Sequence, residues 1–205
     1  MWLQRRAKPL VGACVGPYGG FLADGSEYSG SYGLPPPADV ADGAGEGRMN
    51  VAELAVFHRE QVAVLVASGA ELLIFETLPC AMEGLAIASL LQEHFPTATA
   101  IISFSCKDEV HLNSGEPLAP ALAAIEHCTQ IIAVGVNCTP PHLIAPLLTA
   151  AATATAKPFV ACAYSQNLHR ALKLHFTRDV SDGLLACGDR RELWRGVHLG
   201  WGDGR

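Results

Sequence analysis

Nearly continuous apolar runs recur along the first 163 residues of the chain. They are separated by longer stretches in which apolar residues repeat every three or four positions. Strands of a parallel sheet that are covered on both faces give such apolar runs, whereas strands with one solvated face alternate. We therefore predict five parallel strands, at residues 10–15, 71–75, 98–104, 130–136 and 158–163.

Helical periodicity fills the intervals between the predicted strands. Asn50 is placed to cap a helix that ends near Ser68, with Glu53 as the second member of a capping box. The predicted inner face of this helix consists of Leu54, Phe57, Gln61, Val62 and Leu65. Three further helices, each with a proline near its first turn, are predicted at residues 79–95, 117–127 and 141–152.

This alternation of strands and helices predicts an α/β fold with a parallel sheet, either a (β/α) barrel or an open doubly wound sheet. Neither a G-x-G-x-x-G nor a P-loop motif is present, which disfavours nucleotide binding. Residues 16–47 are rich in Gly, Pro, Ser and Tyr and directly follow a strand, which is typical of a functional loop at the C-terminal face of a sheet. A Gly-rich connector without a ligand is the alternative.

Composition narrows the class of protein. With 205 residues, half of them hydrophobic and 17% charged, the chain suits one globular domain. Its net charge of −6 disfavours binding to nucleic acid or acidic membranes, and no apolar stretch reaches the roughly 18–20 residues of a membrane span. Seven cysteines without tight spacing favour a reducing compartment, so we predict a cytoplasmic protein with a small polar substrate.

Three residues stand where predicted strands end: Glu76, Ser103 and Cys138. Because α/β barrels collect their site residues from the carboxyl ends of strands, we expect these side chains at one face. Glu76 could bind a substrate ammonium or act as a base, and Ser103 could hold a carboxylate. Cys138 suits a metal ligand or a nucleophile.

Each of these residues has a plain structural alternative. Glu76 could be an acid at a helix N-terminus, Ser103 could serve ordinary turn chemistry, and Cys138 could be a buried structural cysteine. The other strand-end cysteines form no C-x-x-C pair, so spacing does not complete a zinc site. The eight histidines are scattered, and we predict surface or capping positions for them.

Six motifs, taken together and in order, resemble the homocysteine S-methyltransferase family over about residues 10–164. They are GPYG at 16–19, LADGSEYSG at 22–30, ETLP at 76–79, SFSC at 103–106, SGEP at 114–117 and GVNCTPP at 135–141. The resemblance implies a partial (β/α)8 TIM barrel with about five of the eight strands present.

The resemblance also implies a reaction: transfer of a methyl group from S-methylmethionine or S-adenosylmethionine to the zinc-activated thiolate of L-homocysteine, giving methionine. By the same resemblance, Cys138 is a ligand of Zn²⁺ and Glu76 holds the amino group of homocysteine. The Gly-rich loop that contains Tyr18 would help to form the substrate pocket, with Ser103 as a further substrate contact.

Two features of the family are missing from this chain, an early Asp-Gly-Gly segment and a late Gly-Gly-Cys-Cys segment that supplies two further zinc thiolates. We therefore expect a partial barrel domain at residues 1–164, a divergent basic tail at 165–205 and an incomplete zinc site. Open sheet edges would favour self-association. The alternatives are an inactive remnant, a binding protein, and an unrelated barrel lyase or aldolase that requires a strand-end lysine.

Overall fold

The computed structural model describes residues 11–33 and 48–163, together with the backbone of residues 185–187. Within these ranges six strands form one sheet: β1 (Gly12–Val15), β2 (Leu72–Leu78), β3 (Ala100–Phe104), β4 (Ile131–Thr139), β5 (Phe159–Ala163) and β6 (Leu185–Cys187). The helices of the same ranges are α1 (Tyr18–Leu22), α2 (Val51–Ala67), α3 (Ala81–His94), α4 (Leu118–Ala124) and α5 (Pro141–Ala151). Two single-turn 3-10 segments, Ser26–Tyr28 and Ser31–Gly33, follow α1.

The order of the strands in the sheet follows their order along the chain, and all neighbours are parallel. A doubly wound sheet reverses its order at a switch point, so the sequential order favours a barrel. The predicted fold class, part of a (β/α)8 barrel, is therefore confirmed. One strand was not predicted: β6 lies in the tail, where an apolar run of four residues, 184–187, is too short to distinguish a strand from a chance cluster.

Strong curvature marks the carboxyl end of the sheet. β3 lies between β2 and β4, yet Asn137 of β4 and Thr77 of β2 exchange two hydrogen bonds, of 2.7 and 2.8 Å, across it. Such short side chains reach a strand that is not their neighbour only where the face they share is concave. The sheet thus bends like the wall of a barrel.

Apolar side chains pack on both faces of this sheet. The larger cluster joins the sheet to the helices and includes the fully buried Phe75 and Phe104. A smaller cluster, built on Leu72, Ile101 and Ala133, covers the opposite face, which is the inside of the barrel wall. Burial on both faces explains why the strands read as continuous apolar runs.

The start of α2 confirms the predicted capping box. Asn50 Oδ1 accepts a hydrogen bond from the backbone N–H of Glu53 at 3.0 Å, and Glu53 Oε2 accepts one from the N–H of Asn50 at 2.8 Å. These two bonds satisfy backbone donors that the first turn of a helix leaves without partners. No described helix combines the length and the apolar composition that crossing a membrane requires.

The inner face of α2 differs from the prediction at one position. Leu54 and Val62 are buried as expected and Phe57 is partly buried, but Gln61 is exposed and His58 is fully buried. The helical period permits either residue to face inward. His58 faces inward because its side chain pairs with an acidic residue of α3. Helical periodicity cannot predict this contact between distant segments.

β4 and β5 approach closely at Gly135, where a Cβ atom would lie 1.8 Å from the carbonyl oxygen of Val160. We predict that Gly135→Ala lowers the free energy of unfolding by about 1–3 kcal/mol, because the two strands must separate to admit a methyl group. Urea denaturation measures this change. Gly16→Ala is the control, since no atom lies within 4 Å of its added Cβ. Equal stability of both variants would contradict the close approach.

Candidate functional site

The carboxyl ends of β2, β3 and β4 place three polar side chains on the inner face of the sheet. Glu76 lies two residues after the inward Ile74, and Ser103 lies two residues after Ile101. Asn137 lies two residues after Gly135, which pairs with Ser103, and four after the inward Ala133 of β4. Since side chains alternate along a strand with a period of two, these residues share one face.

Asn137 organises this end of the sheet through its side-chain amide. Its Oδ1 accepts hydrogen bonds from the backbone N–H of Thr77 at 2.7 Å and from the hydroxyl of Ser103 at 2.9 Å, and its Nδ2 donates to Thr77 Oγ1 at 2.8 Å. Asn137 is 4% exposed. A buried amide with these partners satisfied is a rigid connector between three strands.

Cys138 lies beside this connector and is partly exposed. Its Sγ accepts hydrogen bonds from Thr77 Oγ1 at 3.5 Å and from Asn137 Nδ2 at 3.6 Å. Two donors from two different strands therefore orient the sulfur. The predicted strand ended at residue 136, whereas β4 extends through Thr139, so Cys138 lies within the strand. The next helix begins at Pro141, as predicted.

The backbone at Thr77 and Cys138 has left-handed geometry, with φ of 65° and 48°. Both positions coincide with register shifts, between Phe75 and Leu78 in β2 and between Asn137 and Thr139 in β4. A β-branched residue with positive φ is strained by about 1–3 kcal/mol and persists only where its surroundings hold it. Bulges of this kind commonly redirect side chains beside functional sites.

The SGEP motif at residues 114–117 buttresses the site. Glu116 Oε2 accepts hydrogen bonds from the backbone N–H of Ala81 at 2.9 Å and from the Ser114 hydroxyl at 2.8 Å. The carboxylate thus caps the first turn of α3, where the helix dipole favours a negative charge. Ser114 also donates its N–H to the carbonyl of Pro79 at 3.0 Å, which joins the loop after β3 to the loop after β2.

Two of the other cysteines, Cys80 and Cys106, are poor candidates for chemistry at this face. Burial raises the pKa of the Cys106 thiol to about 12, with the charge of Asp108 adding to the effect. The pKa of the Cys80 thiol is raised in the same way, by burial and then by the charge of Glu83. Both thiols stay protonated at neutral pH and shielded from solvent.

A metal site is not assembled by the described residues. No group of three His, Cys, Asp or Glu side chains among them is arranged to hold an ion. Cys138 is one thiol, and zinc needs about three or four ligands. The backbone register places Cys162 level with Asn137, and Cys187 level with Cys162, which brings two further cysteine positions to the same row of the sheet.

The predicted site residues are therefore only partly brought together. Ser103 and Cys138 both contact the Asn137 amide, and Glu76 is adjacent to Thr77, half-buried on the same face. Tyr18 lies elsewhere: its ring packs against Phe21, Tyr32 and Phe57, 5.0–6.1 Å away between centroids. Any role of its ring in substrate binding remains a prediction.

Some organising residues were not predicted from the sequence. Thr77 and Asn137 stood inside recognised motifs, but no local signal pairs a residue with one sixty positions away. His58 was expected at the surface and is instead fully buried, 2.8 Å from Glu83 of α3. One signal was available in the sequence: Glu83 lies among apolar residues in the first turns of a predicted helix. A buried acid requires a partner, so a partner for Glu83 could have been sought.

These features define a barrel-type α/β protein with a polar site at the carboxyl ends of its strands. The chain belongs to the homocysteine S-methyltransferase family, whose sequence profile matches residues 3–180. That match includes residues on both sides of position 164, and the division of the chain there stays a prediction.

Known relatives agree with this assignment. Homocysteine S-methyltransferase YbgG of Bacillus subtilis is 40% identical over 155 residues, which are 76% of this chain and 44% of that protein. Selenocysteine Se-methyltransferase of Brassica oleracea is 42% identical over 151 residues, 74% of this chain and 40% of that protein. This chain therefore spans less than half the length of these two relatives.

A solved structure gives the same result for the fold. The metallated form of the homocysteine methyltransferase MmuM from Escherichia coli superposes with a TM-score of 0.69 at 34% sequence identity. The superposition covers 87% of this chain and 55% of that structure.

The Asn137 connector predicts an order of stability losses. Asn137→Ala leaves the Thr77 N–H and the Ser103 hydroxyl without their partner, so we expect a loss of about 2–3 kcal/mol in the free energy of unfolding. Ser103→Ala removes one of these bonds, and we expect about 1 kcal/mol. Urea denaturation of the two variants measures both values. A larger loss in Ser103→Ala than in Asn137→Ala would contradict the connector role.

Proposed function

We propose that this chain acts in methyl transfer to the sulfur of L-homocysteine, giving methionine, with S-methylmethionine or S-adenosylmethionine as the methyl donor. The observation that carries the proposal is membership of the homocysteine S-methyltransferase family over residues 3–180. Similarity to both homocysteine and selenocysteine methyltransferases supports an amino-acid thiol or selenol as the acceptor.

The proposed reaction forms one carbon–sulfur bond and breaks another. Homocysteine releases its thiol proton to solvent, and its sulfur forms a bond to the methyl carbon. The bond between that carbon and the donor sulfur breaks, and its electron pair neutralises the positive charge of the donor sulfur. The protein's task is to align three atoms, the two sulfurs and the methyl carbon, without water between them. Oriented groups at the strand ends suit that task.

Glu76 is the proposed partner of the homocysteine ammonium. Its carboxylate is half-buried on the inner face, and no hydrogen bond or ion pair to it occurs among the described residues. An acid left without a protein partner at a strand end is available to a cationic ligand group. The Ser103 hydroxyl donates its hydrogen to Asn137 Oδ1. We therefore propose that Ser103 supports the site and contacts substrate only as a hydrogen-bond acceptor, through the lone pairs of its oxygen.

Cys138 is the proposed metal-binding position. The described residues supply this one thiol and no group of three ligands, so they do not by themselves fit a zinc site. Zinc, when bound at such a site, would lower the pKa of a substrate thiol. The protein's own contribution at this position is to orient the Cys138 sulfur through Thr77 and Asn137.

A barrel lyase or aldolase is the less favourable function. Schiff-base chemistry needs a desolvated lysine at the carboxyl end of a strand. Lys157 precedes β5 and donates to the carbonyl of Cys128 at 3.1 Å, at the opposite end of the sheet. Lys107 is exposed in the loop after β3. Neither lysine fits that role.

Substrate binding tests the proposal directly. Isothermal titration of the wild-type chain with L-homocysteine should give binding, and Glu76→Gln should weaken it at least about tenfold, because a charge-assisted hydrogen bond to the ammonium is lost. Glu60→Gln, an exposed acid on α2, is the matched control and should bind as the wild type does. Methionine formation from either sulfonium donor is assayed on the same samples. Absence of homocysteine binding would refute the proposal.

Metal content tests the position of Cys138 separately. After dialysis against Zn²⁺ and then against metal-free buffer, we expect the wild-type chain to retain little zinc, since the affinity depends on the number of ligands. Any zinc that is retained should be lost in Cys138→Ser and kept in Cys14→Ser. Stoichiometric retention that survives Cys138→Ser would show that Cys138 is not a ligand. Cys187→Ser tests the cysteine that the strand register brings to the same row.

A further inference from the structure

A fully buried carboxylate, Glu83, lies in the first turn of α3. Its Oε1 accepts hydrogen bonds from the backbone N–H of Tyr18 at 2.6 Å and faces His58 Nε2 at 2.8 Å, and its Oε2 accepts from the Tyr32 hydroxyl at 2.6 Å. A carboxylate surrounded by donors is the form in which a buried acid is tolerated. Burial, followed by the charge of Glu83, raises the pKa of Tyr32, so its phenol remains a donor.

The partners of Glu83 mark both ends of one loop. Tyr18 begins α1 just after β1, and Tyr32 lies in the second 3-10 turn, before the chain returns to α2. The carbonyl of Tyr32 also accepts the N–H of Met49 at 2.8 Å. One carboxylate on α3 therefore fastens the start and the end of residues 18–32.

This loop packs against the connection between β2 and α3. A Cβ atom at Gly33 would lie 2.4 Å from Cys80 Sγ, and one at Gly30 would lie 3.1 Å from the carbonyl oxygen of Pro79. Glycine is needed at both positions because the loop and the connection touch backbone to backbone or backbone to sulfur. Pro79 is only two residues after Thr77, whose hydroxyl donates a hydrogen bond to the Cys138 sulfur.

We propose that Glu83 is a positioning residue for the strand-end site: by fastening both ends of residues 18–32, it holds that loop against Pro79 and Cys80 and fixes Thr77 beside Cys138. The contacts and the burial of the network carry this assignment. A carboxylate buried with only some of its donors would be costly, so the network forms as a unit. Its effect on homocysteine affinity rests on the proposed function, whereas its effect on the loop and the thiol does not.

Two variants and a matched control test the role of Glu83 in the full chain. Tyr32→Phe removes one hydroxyl, and Glu83→Gln removes the charge at constant size. Glu93→Gln changes an exposed acid on the same helix and is the control. Urea denaturation establishes that each variant is folded, and Tyr32→Phe, the milder change, decides the outcome if Glu83→Gln does not fold.

Three measurements follow the network from the loop to the site. We expect about tenfold faster amide hydrogen exchange in residues 17–33 of Tyr32→Phe, because a hydrogen bond to a charged group is lost. Alkylation of Cys138 by iodoacetamide, resolved by peptide mass, should change at least about threefold. The affinity for L-homocysteine should fall about fivefold, and Glu93→Gln should match the wild type in all three.

Each arm has a result that overturns part of the assignment. Unchanged exchange in residues 17–33 would show that Glu83 does not fasten the loop. Faster exchange with unchanged alkylation of Cys138 would show that the loop does not position the site. If the wild-type chain fails to bind homocysteine, the proposed function is refuted, while exchange and alkylation still decide the role of Glu83.

Discussion

The side-chain amide of Asn137 is the contact on which the site depends. It joins β4 to β3 through Ser103 and to β2 through Thr77, and it reaches over β3 to do so. That reach requires a concave inner face, so the curvature of the sheet and the geometry of the site are one property. The same hydrogen bonds hold the backbone of Thr77 and Cys138 in its left-handed geometry. They offset the strain of that geometry, which regular strand dihedrals would not have.

Two polar networks lie on opposite sides of β2, and the connection after this strand links them. Asn137 acts on the inner face, whereas Glu83 acts between the sheet and its helices, where His58 contacts the outward ring of Phe75. From Thr77 to Glu83 the chain runs only a few residues, and the SGEP loop braces that stretch through Glu116. Inside a protein, hydrogen bonds in such connected networks strengthen one another. The short connection therefore couples the packing of the outer loop to the strand ends.

How far the sequence predicts this structure depends on the range of the interaction. The apolar runs of the strands and the capping box at Asn50 are local patterns, and both were predicted correctly because neighbours along the chain determine them. Asn137 with Thr77 and His58 with Glu83 are pairs between distant segments, which periodicity does not encode. The order of the motifs, through the resemblance to a family, predicted that Glu76 and Cys138 lie on one face of the sheet. It did not reveal that a hydrogen-bonded connector lies between them.

That connector bears on the proposed recognition of an amino acid that carries sulfur. Glu76 is followed directly by Thr77, and Cys138 is preceded directly by Asn137. The two residues of the connector therefore adjoin the residue proposed to hold the substrate ammonium and the proposed metal-binding position. A ligand with a charged amine at one end and a thiol at the other requires a fixed separation between its two anchors, because in-line methyl transfer tolerates little misplacement. If only backbone hydrogen bonds through β3 joined β2 and β4, the distance between the two anchors would vary. The reciprocal hydrogen bonds between Thr77 and Asn137 remove this freedom, which makes the distance between the anchors a property of the fold rather than of the ligand.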